Sequence, residues 1–154
     1  MRINGFLKDD HILLDLKPGN KEFVLKEFVS ALKKKGLISN DKLVLRELLK
    51  RERLGSTGIT EGIAVPHALI NEFYEPFLAI AKIREGVNFE SFDKKPTHIL
   101  FLLLGDKKNP GLQLKTLAHI CRLIKETKFV ERIKKATSSG EMRMIFEEEE
   151  EKIA

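Results

Sequence analysis

The sequence predicts an α/β domain in which helices cover both faces of apolar strands. The clearest strand is 98–104, which is continuously apolar, as a strand covered on both faces should be. Apolar residues at helical spacing precede it at 21–35 and follow it at 111–126. Because such a strand needs a helix layer above and below it, these three segments together predict a layered α/β fold.

The composition is that of one globular domain, which we predict to span residues 1–154. Hydrophobic residues make up 42% of the 154 and charged residues 33%, which allows a sizeable core. The single cysteine, Cys121, excludes an internal disulfide, and with no recognisable signal peptide it favours a reducing cytoplasm. No apolar run approaches the roughly 20 residues of a membrane-spanning helix, so no membrane span is predicted.

The formal net charge of +5 raises the question of nucleic-acid binding. Lysines are interleaved with glutamates along the predicted helices, and the chain has no arginine-rich arm and no aromatic residues placed for stacking. We therefore interpret the charge as a solvated Lys/Glu surface and predict no nucleic-acid partner. The acidic run at 147–151 is interpreted as the frayed, solvated end of the last helix.

The first elements are an edge strand and a helix. Residues 11–16 are short and mostly apolar, which suits an edge strand. The helix at 21–35 begins after Asn20, whose side chain can accept a hydrogen bond from a first-turn amide. It ends in three lysines followed by Gly36, a residue type that suits the position after a helix.

A second helix is predicted to open at 39–41 and to end near Arg53. Asn40 or Asp41 can cap it. Arg51 then lies in its last turn, where a cation is favourable in the field of the helix dipole. Taken alone, this position explains an arginine without any further function.

The next strands are short or interrupted. Residues 63–65 are apolar, and Pro66 has no amide hydrogen for a strand ladder, so we expect it to end the strand. A second apolar strand follows at 77–83 and a turn at 85–86. A loop at 105–111 leads from the central strand to the next helix.

The last part of the chain predicts three helices. The first, at 111–126, has an apolar side that we expect to face the core, so that its cysteine is a core residue and not a nucleophile. A short helix contains 129–133, and the last one begins at 138–141. The apolar side of the first of these helices carries Leu114, Leu117, Ala118, Cys121 and Ile124.

One stretch combines three residue types that suit phosphate chemistry. Arg51 offers a rigid fork of donors to an oxyanion. The Gly-Ser-Thr-Gly loop at 55–58 offers backbone amides and the hydroxyls of Ser56 and Thr57. His67 offers a nucleophilic nitrogen near neutral pH. The loop lacks the Gly-Lys-Ser/Thr ending of a nucleotide-binding loop, so no nucleotide cofactor is predicted.

The four histidines do not predict a metal site. His11, His67, His98 and His119 lack the paired spacing and the supporting carboxylates that a metal ion needs. His67 differs from the others because a glycine-rich loop and a proline lead into it. We therefore predict no metal and no other cofactor.

The segment 51–68, RERLGSTGITEGIAVPHA, resembles the active-site segment of enzyme IIA domains of the fructose–mannitol type, in the bacterial phosphoenolpyruvate-dependent sugar phosphotransferase system. It is most similar to the nitrogen-regulatory branch of that family, and the similarity extends loosely over most of the chain. The resemblance implies a single enzyme IIA-like (type 2) domain over 1–154. It implies a mixed, mostly parallel sheet of about five strands with helices on both sides. It also implies that His67 is phosphorylated and that Arg51 lies beside it.

Two positions depart from the family pattern. Gln113 stands where many members have a second active-site histidine, and Thr60 stands where many have glycine. A glutamine can donate a hydrogen bond to a phosphoryl oxygen but carries no charge. We therefore predict His67 and Arg51 as catalytic residues, with a phosphate-binding set of Ser56, Thr57 and Gln113.

The resemblance implies a phosphotransferase that acts as a phosphoryl carrier. His67 would accept a phosphoryl group from a phosphorylated HPr-like protein and pass it to an enzyme IIB-like acceptor. The first alternative is a nitrogen-type regulatory protein that binds and controls target proteins, which the absence of an attached permease or IIB segment favours. The second alternative is a binding domain that has lost phosphotransfer, an interpretation that rests on Gln113 alone.

Overall fold

The computed structural model describes residues 1–153, and in that range it has five α-helices and five β-strands. No helix in the same range is long and apolar enough to cross a membrane. Two single turns of 3₁₀ helix, Asn4–Phe6 and Asp9–His11, precede the first strand. The strands are β1 Ile12–Leu13, β2 Ile63–Ala64, β3 His67–Ile70, β4 Phe77–Val87 and β5 Thr97–Asp106. The helices are α1 Lys21–Lys34, α2 Asp41–Arg53, α3 Pro110–Glu126, α4 Phe129–Lys135 and α5 Ser139–Glu151.

The strands form one mixed sheet around β5. Strand β4 runs antiparallel to β5 on one side and pairs with the short edge strand β1, which is parallel to β4. On the other side, β2 and β3 both run parallel to β5 and follow one another along the same edge. The predicted mixed, mostly parallel sheet of about five strands is therefore confirmed.

Strand β5 has helices on both faces, as its continuous apolar sequence predicted. Leu100, Leu102 and Leu104 belong to the core between the sheet and the helices α1 and α2. The alternate residues, which include Phe101 and Leu103, belong to the core that α3, α4 and α5 build on the other face. Both cores are dry and apolar, and burial of this kind stabilises a fold by about 25 cal/mol for each Å² removed from water.

Helix boundaries follow the capping residues that the sequence suggested. Asn20 accepts a hydrogen bond from the Phe23 amide at 2.8 Å, and Asn40 accepts one from the Leu43 amide at 3.1 Å. Gly36 follows α1 with a φ of +75°, a conformation that favours glycine. The predicted positions of α1 and α2 are confirmed to within one or two residues.

Two predicted strand ends were wrong. Residues 85–86 are not a turn, because β4 continues to Val87 through a shift in its register with β5, and Gly86 has a φ of +82°. Pro66 interrupts the strand but does not end its pairing, since the Leu103 amide donates to the Pro66 carbonyl at 3.0 Å. A proline is tolerated here because β2 and β3 lie at a sheet edge.

The core-facing side of α3 was also predicted wrongly. Leu114 is 69% exposed and Ala118 is exposed, and Cys121 is only half-buried. The side that packs on the sheet mixes polar and apolar residues, and the polar ones find partners that the helix sequence does not reveal. Its buried members are Gln113, Thr116, His119, Ile120, Leu123 and Ile124.

The acidic run at 147–151 is not a frayed, solvated end. Helix α5 continues to Glu151, and the side chains of Glu149 and Glu150 are fully buried. Glu150 accepts hydrogen bonds from the amides of Ile3 at 2.7 Å and Asn4 at 3.0 Å. The run is ordered because the amino-terminal segment packs on it and uses its carboxylates.

Candidate functional site

The junction of β2 and β3 fixes the position and the tautomer of His67. The Val65 amide turns away from the sheet and donates to the Thr57 carbonyl at 3.0 Å. The Val65 carbonyl accepts a hydrogen bond from Nδ1 of His67 at 2.8 Å. Because a carbonyl only accepts, Nδ1 carries the proton and Nε2 keeps its lone pair.

Arg51 lies beside this histidine, in the last turn of α2 as predicted. Its guanidinium Nη1 donates to the Gly55 carbonyl at 2.8 Å, which ties the side chain to the loop that follows the helix. Arg51 and His67 line one cavity of about 430 Å³ together with Gln113 from the first turn of α3. The structure thus brings three of the five predicted site residues together.

His67 is held in its neutral form near pH 7. Partial burial lowers the pKa of the imidazole below its ordinary value of 6.5, and the positive charge of Arg51 lowers it further. The hydrogen bond to the Val65 carbonyl and the carboxylate of Glu52 act in the opposite direction. The net effect is a lowered pKa, which keeps the lone pair on Nε2 available for bond formation.

Sequence reasoning missed Glu52, which organises the loop between α2 and β2. Its buried carboxylate accepts hydrogen bonds from the amide of Thr57, at 3.0 Å, and from the Thr57 hydroxyl. It also pairs with Nζ of Lys21 at 2.7 Å. A glutamate in the last turn of a helix is disfavoured by the helix dipole, and that position could have indicated a partner.

The two predicted hydroxyl ligands make contacts within the loop. Ser56 Oγ donates to the Phe89 carbonyl and accepts from the Gly58 amide at 3.0 Å. The Thr57 hydroxyl is buried and donates to Glu52. Neither residue lines the cavity that contains His67. Their role as phosphate ligands stays a prediction, and the observed contacts give them the task of shaping the loop.

Gln113 fills the place between α3 and the sheet. Its Nε2 donates to the Ala68 carbonyl at 3.2 Å, while its buried Oε1 has no hydrogen-bond partner within residues 1–153. The side chain lies flat on Gly105, where an added Cβ would come within 2.2 Å of Oε1. Gly105 therefore leaves the room that the Gln113 amide occupies at the cavity wall.

The remaining histidines are engaged elsewhere. His11 Nδ1 donates to the Leu78 carbonyl at 2.8 Å, and His98 Nδ1 lies 3.1 Å from the Ile83 carbonyl. His119 Nε2 donates to the Glu150 carboxylate at 2.6 Å. None of these three lines the cavity that His67 shares with Arg51. Across the described part of the chain, no three His, Cys, Asp or Glu side chains group as metal ligands would.

The titration of His67 provides a direct test of this geometry. We expect its imidazole to titrate with a midpoint below 6.5 in a ¹⁵N-NMR experiment, because burial and Arg51 both disfavour the charged form. Arg51→Ala should move the midpoint upwards, since removal of a nearby cation favours the imidazolium. His98, which does not line the cavity, should keep its midpoint in that variant. A wild-type midpoint above 6.5 would contradict the description of the site.

Comparison with known proteins gives consistent matches. Residues 5–149 match the family described as "Phosphoenolpyruvate-dependent sugar phosphotransferase system, EIIA 2". The chain is 31% identical over 135 residues to a nitrogen regulatory protein of Bradyrhizobium diazoefficiens, with 87% of each chain covered. It is 32% identical over 124 residues to the fructose-specific EIIABC component of Bacillus subtilis, which covers 80% of this chain but only 20% of that relative.

A solved structure shows the same fold. The nitrogen regulatory protein IIA-Ntr of Neisseria meningitidis superposes with a TM-score of 0.83 at 29% sequence identity. The match covers 93% of this chain and 97% of the neighbour.

Proposed function

The chain belongs to the EIIA type 2 family of the phosphoenolpyruvate-dependent sugar phosphotransferase system, and we propose that it accepts a phosphoryl group on Nε2 of His67. Phosphoryl transfer, or regulation through it, is the general role of this family. The observation that carries the proposal is the hydrogen bond from Nδ1 to the Val65 carbonyl. It leaves Nε2 with its lone pair, in a cavity that also contains Arg51.

The transfer step needs no proton movement at His67. The lone pair of Nε2 attacks the phosphorus of a phosphohistidine on an HPr-like donor protein. The bond between phosphorus and the donor imidazole breaks, and its electron pair returns to the donor nitrogen. His67 then carries a phosphoryl group on Nε2 and its original proton on Nδ1. The resulting positive charge on the ring is stabilised by the Val65 carbonyl, which already accepts that proton.

Charge stabilisation and alignment do most of the work in such a transfer. Arg51 supplies a guanidinium beside the phosphoryl oxygens, and its bond to the Gly55 carbonyl restricts where that guanidinium lies. Gln113 offers the second hydrogen of its amide nitrogen to a phosphoryl oxygen. Ser56 and Thr57 contribute through the loop amides that their hydroxyl contacts hold in position.

The next acceptor defines two versions of this function. As a carrier, the protein passes the group to an enzyme IIB-like protein in the cytoplasm. As a regulator, it uses the phosphorylated and free states of His67 to control a target protein. The regulatory version is supported by the match to a nitrogen regulatory protein, since 87% of that relative's length is covered.

The proposal is tested by incubation with phosphoenolpyruvate, enzyme I and HPr, followed by intact-mass measurement. We expect a mass gain of one phosphoryl group that acid treatment removes, because phosphohistidine is acid-labile. Addition of a fructose-type IIB protein then separates the two versions, since a carrier loses its label to it quickly. If the protein stays unmodified while HPr is phosphorylated in the same tube, it does not act as a phosphoryl acceptor.

A further inference from the structure

The surface around His67 has an apolar centre. Leu54, directly after α2, is 83% exposed, and Leu114 in the first turns of α3 is 69% exposed. Both line the cavity that contains His67, together with the half-buried Leu117. Exposed leucines gathered beside a reactive side chain are typical of a protein contact surface.

A second cavity adjoins this one between α2 and β3. It measures about 590 Å³ and shares Lys50 and Lys107 with the first. Arg46 and Arg53 also line it. Counted with Arg51, the two cavities are lined by five Arg or Lys residues and by one carboxylate, Glu47. The whole chain has 28 Lys and Arg against 23 Asp and Glu, so the excess of positive charge is concentrated here.

These cations are not neutralised within the described part of the chain. Lys50, Arg53 and Lys107 are exposed and form no ion pair among residues 1–153. Arg46 has only Glu47, at 3.7 Å. Unpaired cations at the edge of an apolar surface favour a partner of opposite charge and speed its approach.

We propose that this face docks a protein whose surface carries acidic side chains around an apolar patch, and that the phosphodonor of His67 is such a protein. The proposal rests on the phosphoryl-acceptor function proposed above. The apolar residues of the two cavities are aliphatic, with no aromatic ring for a base to stack on, so a protein suits the face better than a nucleic acid. The leucines would bury the centre of the contact, and the lysines and arginines would surround it.

The test uses two phosphorylated HPr proteins, one acidic and one basic around its phosphohistidine. We expect the acidic donor to transfer roughly tenfold faster or more at low salt. The difference should shrink at about 0.5 M salt, where charges are screened within a few ångströms. Lys50→Glu should reduce the preference for the acidic donor. Lys26→Glu, an equal charge change on the exposed side of α1 outside both cavities, should keep it.

Phosphoramidate, a small donor that needs no docking surface, separates the two proposals. If it labels His67 in wild type and in both variants, and the acidic donor has no advantage or Lys26→Glu acts as strongly as Lys50→Glu, the docking proposal is overturned and the acceptor function stands. If neither HPr nor phosphoramidate labels His67, both proposals fail. Inhibition by duplex DNA with no preference between the two donors would assign the charge to nucleic acid and also overturn the docking proposal.

Discussion

His67→Ala is expected to reduce acid-labile phosphorylation to the background level. The other histidines cannot replace it, because His11 and His119 are buried and bonded to a carbonyl and a carboxylate. His98→Asn is the matched control, since that side chain is only half-buried and lies outside the cavity. It should keep the wild-type level of label. Both variants are measured by intact mass after incubation with phosphoenolpyruvate, enzyme I and HPr.

The interpretation requires that His67→Ala remains folded. Loss of an imidazole at a sheet edge removes one hydrogen bond to the Val65 carbonyl, worth about 1 kcal/mol. We therefore expect far-UV circular dichroism and cooperative thermal unfolding close to those of the wild type. A folded His67→Ala protein that still takes up an acid-labile phosphoryl group would transfer the acceptor role to another residue.

The site segment could be predicted from sequence because its parts are close together in the chain. Arg51, the loop at 55–58 and His67 lie within 17 consecutive residues, so a local pattern carries most of the information. The same holds for β5 and for the amino-terminal caps of α1 and α2, where the decisive contacts are made within a few residues.

The buried side of α3 could not be predicted, because distant elements decide it. Its apolar stripe and its polar stripe compete for the sheet, and the helix turns Thr116 and His119 inwards. Thr116 bonds back to the Leu112 carbonyl, but His119 needs a carboxylate 31 positions away. The inward side becomes favourable only through such partners, and Leu114 is thereby left at the surface beside His67.

The loop shows the same limit on a smaller scale. Ser56 and Thr57 suggested phosphate ligands because a Gly-Ser-Thr-Gly loop often presents its hydroxyls outwards. In the structure, the Thr57 hydroxyl donates to Glu52, and that carboxylate also binds Lys21 from α1. A contact between two helices and a loop has no signature in the local sequence pattern.

The acidic end of α5 gives the largest stability effect that we expect. Glu150→Ala should lower the free energy of unfolding by about 3–5 kcal/mol, the usual cost of breaking a buried ion pair. Its carboxylate is fully buried and bound by His119 at 2.6 Å and by the Asn4 side chain at 2.5 Å. Removal of it leaves these donors, and the amides of Ile3 and Asn4, buried without an acceptor. Urea unfolding measured by circular dichroism provides the comparison.

Glu151→Ala is the matched control, because the next residue of the same helix has the same charge but a different environment. Its side chain is 61% exposed and pairs with Arg2, which is 55% exposed, so its loss should cost about 1 kcal/mol or less. Glu150→Gln should fall between the two variants, since an amide keeps one acceptor but places an NH₂ group against other donors. Equal unfolding midpoints for the Glu150 and Glu151 alanine variants would mean that the amino-terminal segment does not depend on Glu150. A large difference confined to Glu150→Ala would show that the acidic run holds Ile3, and the core around it, in place.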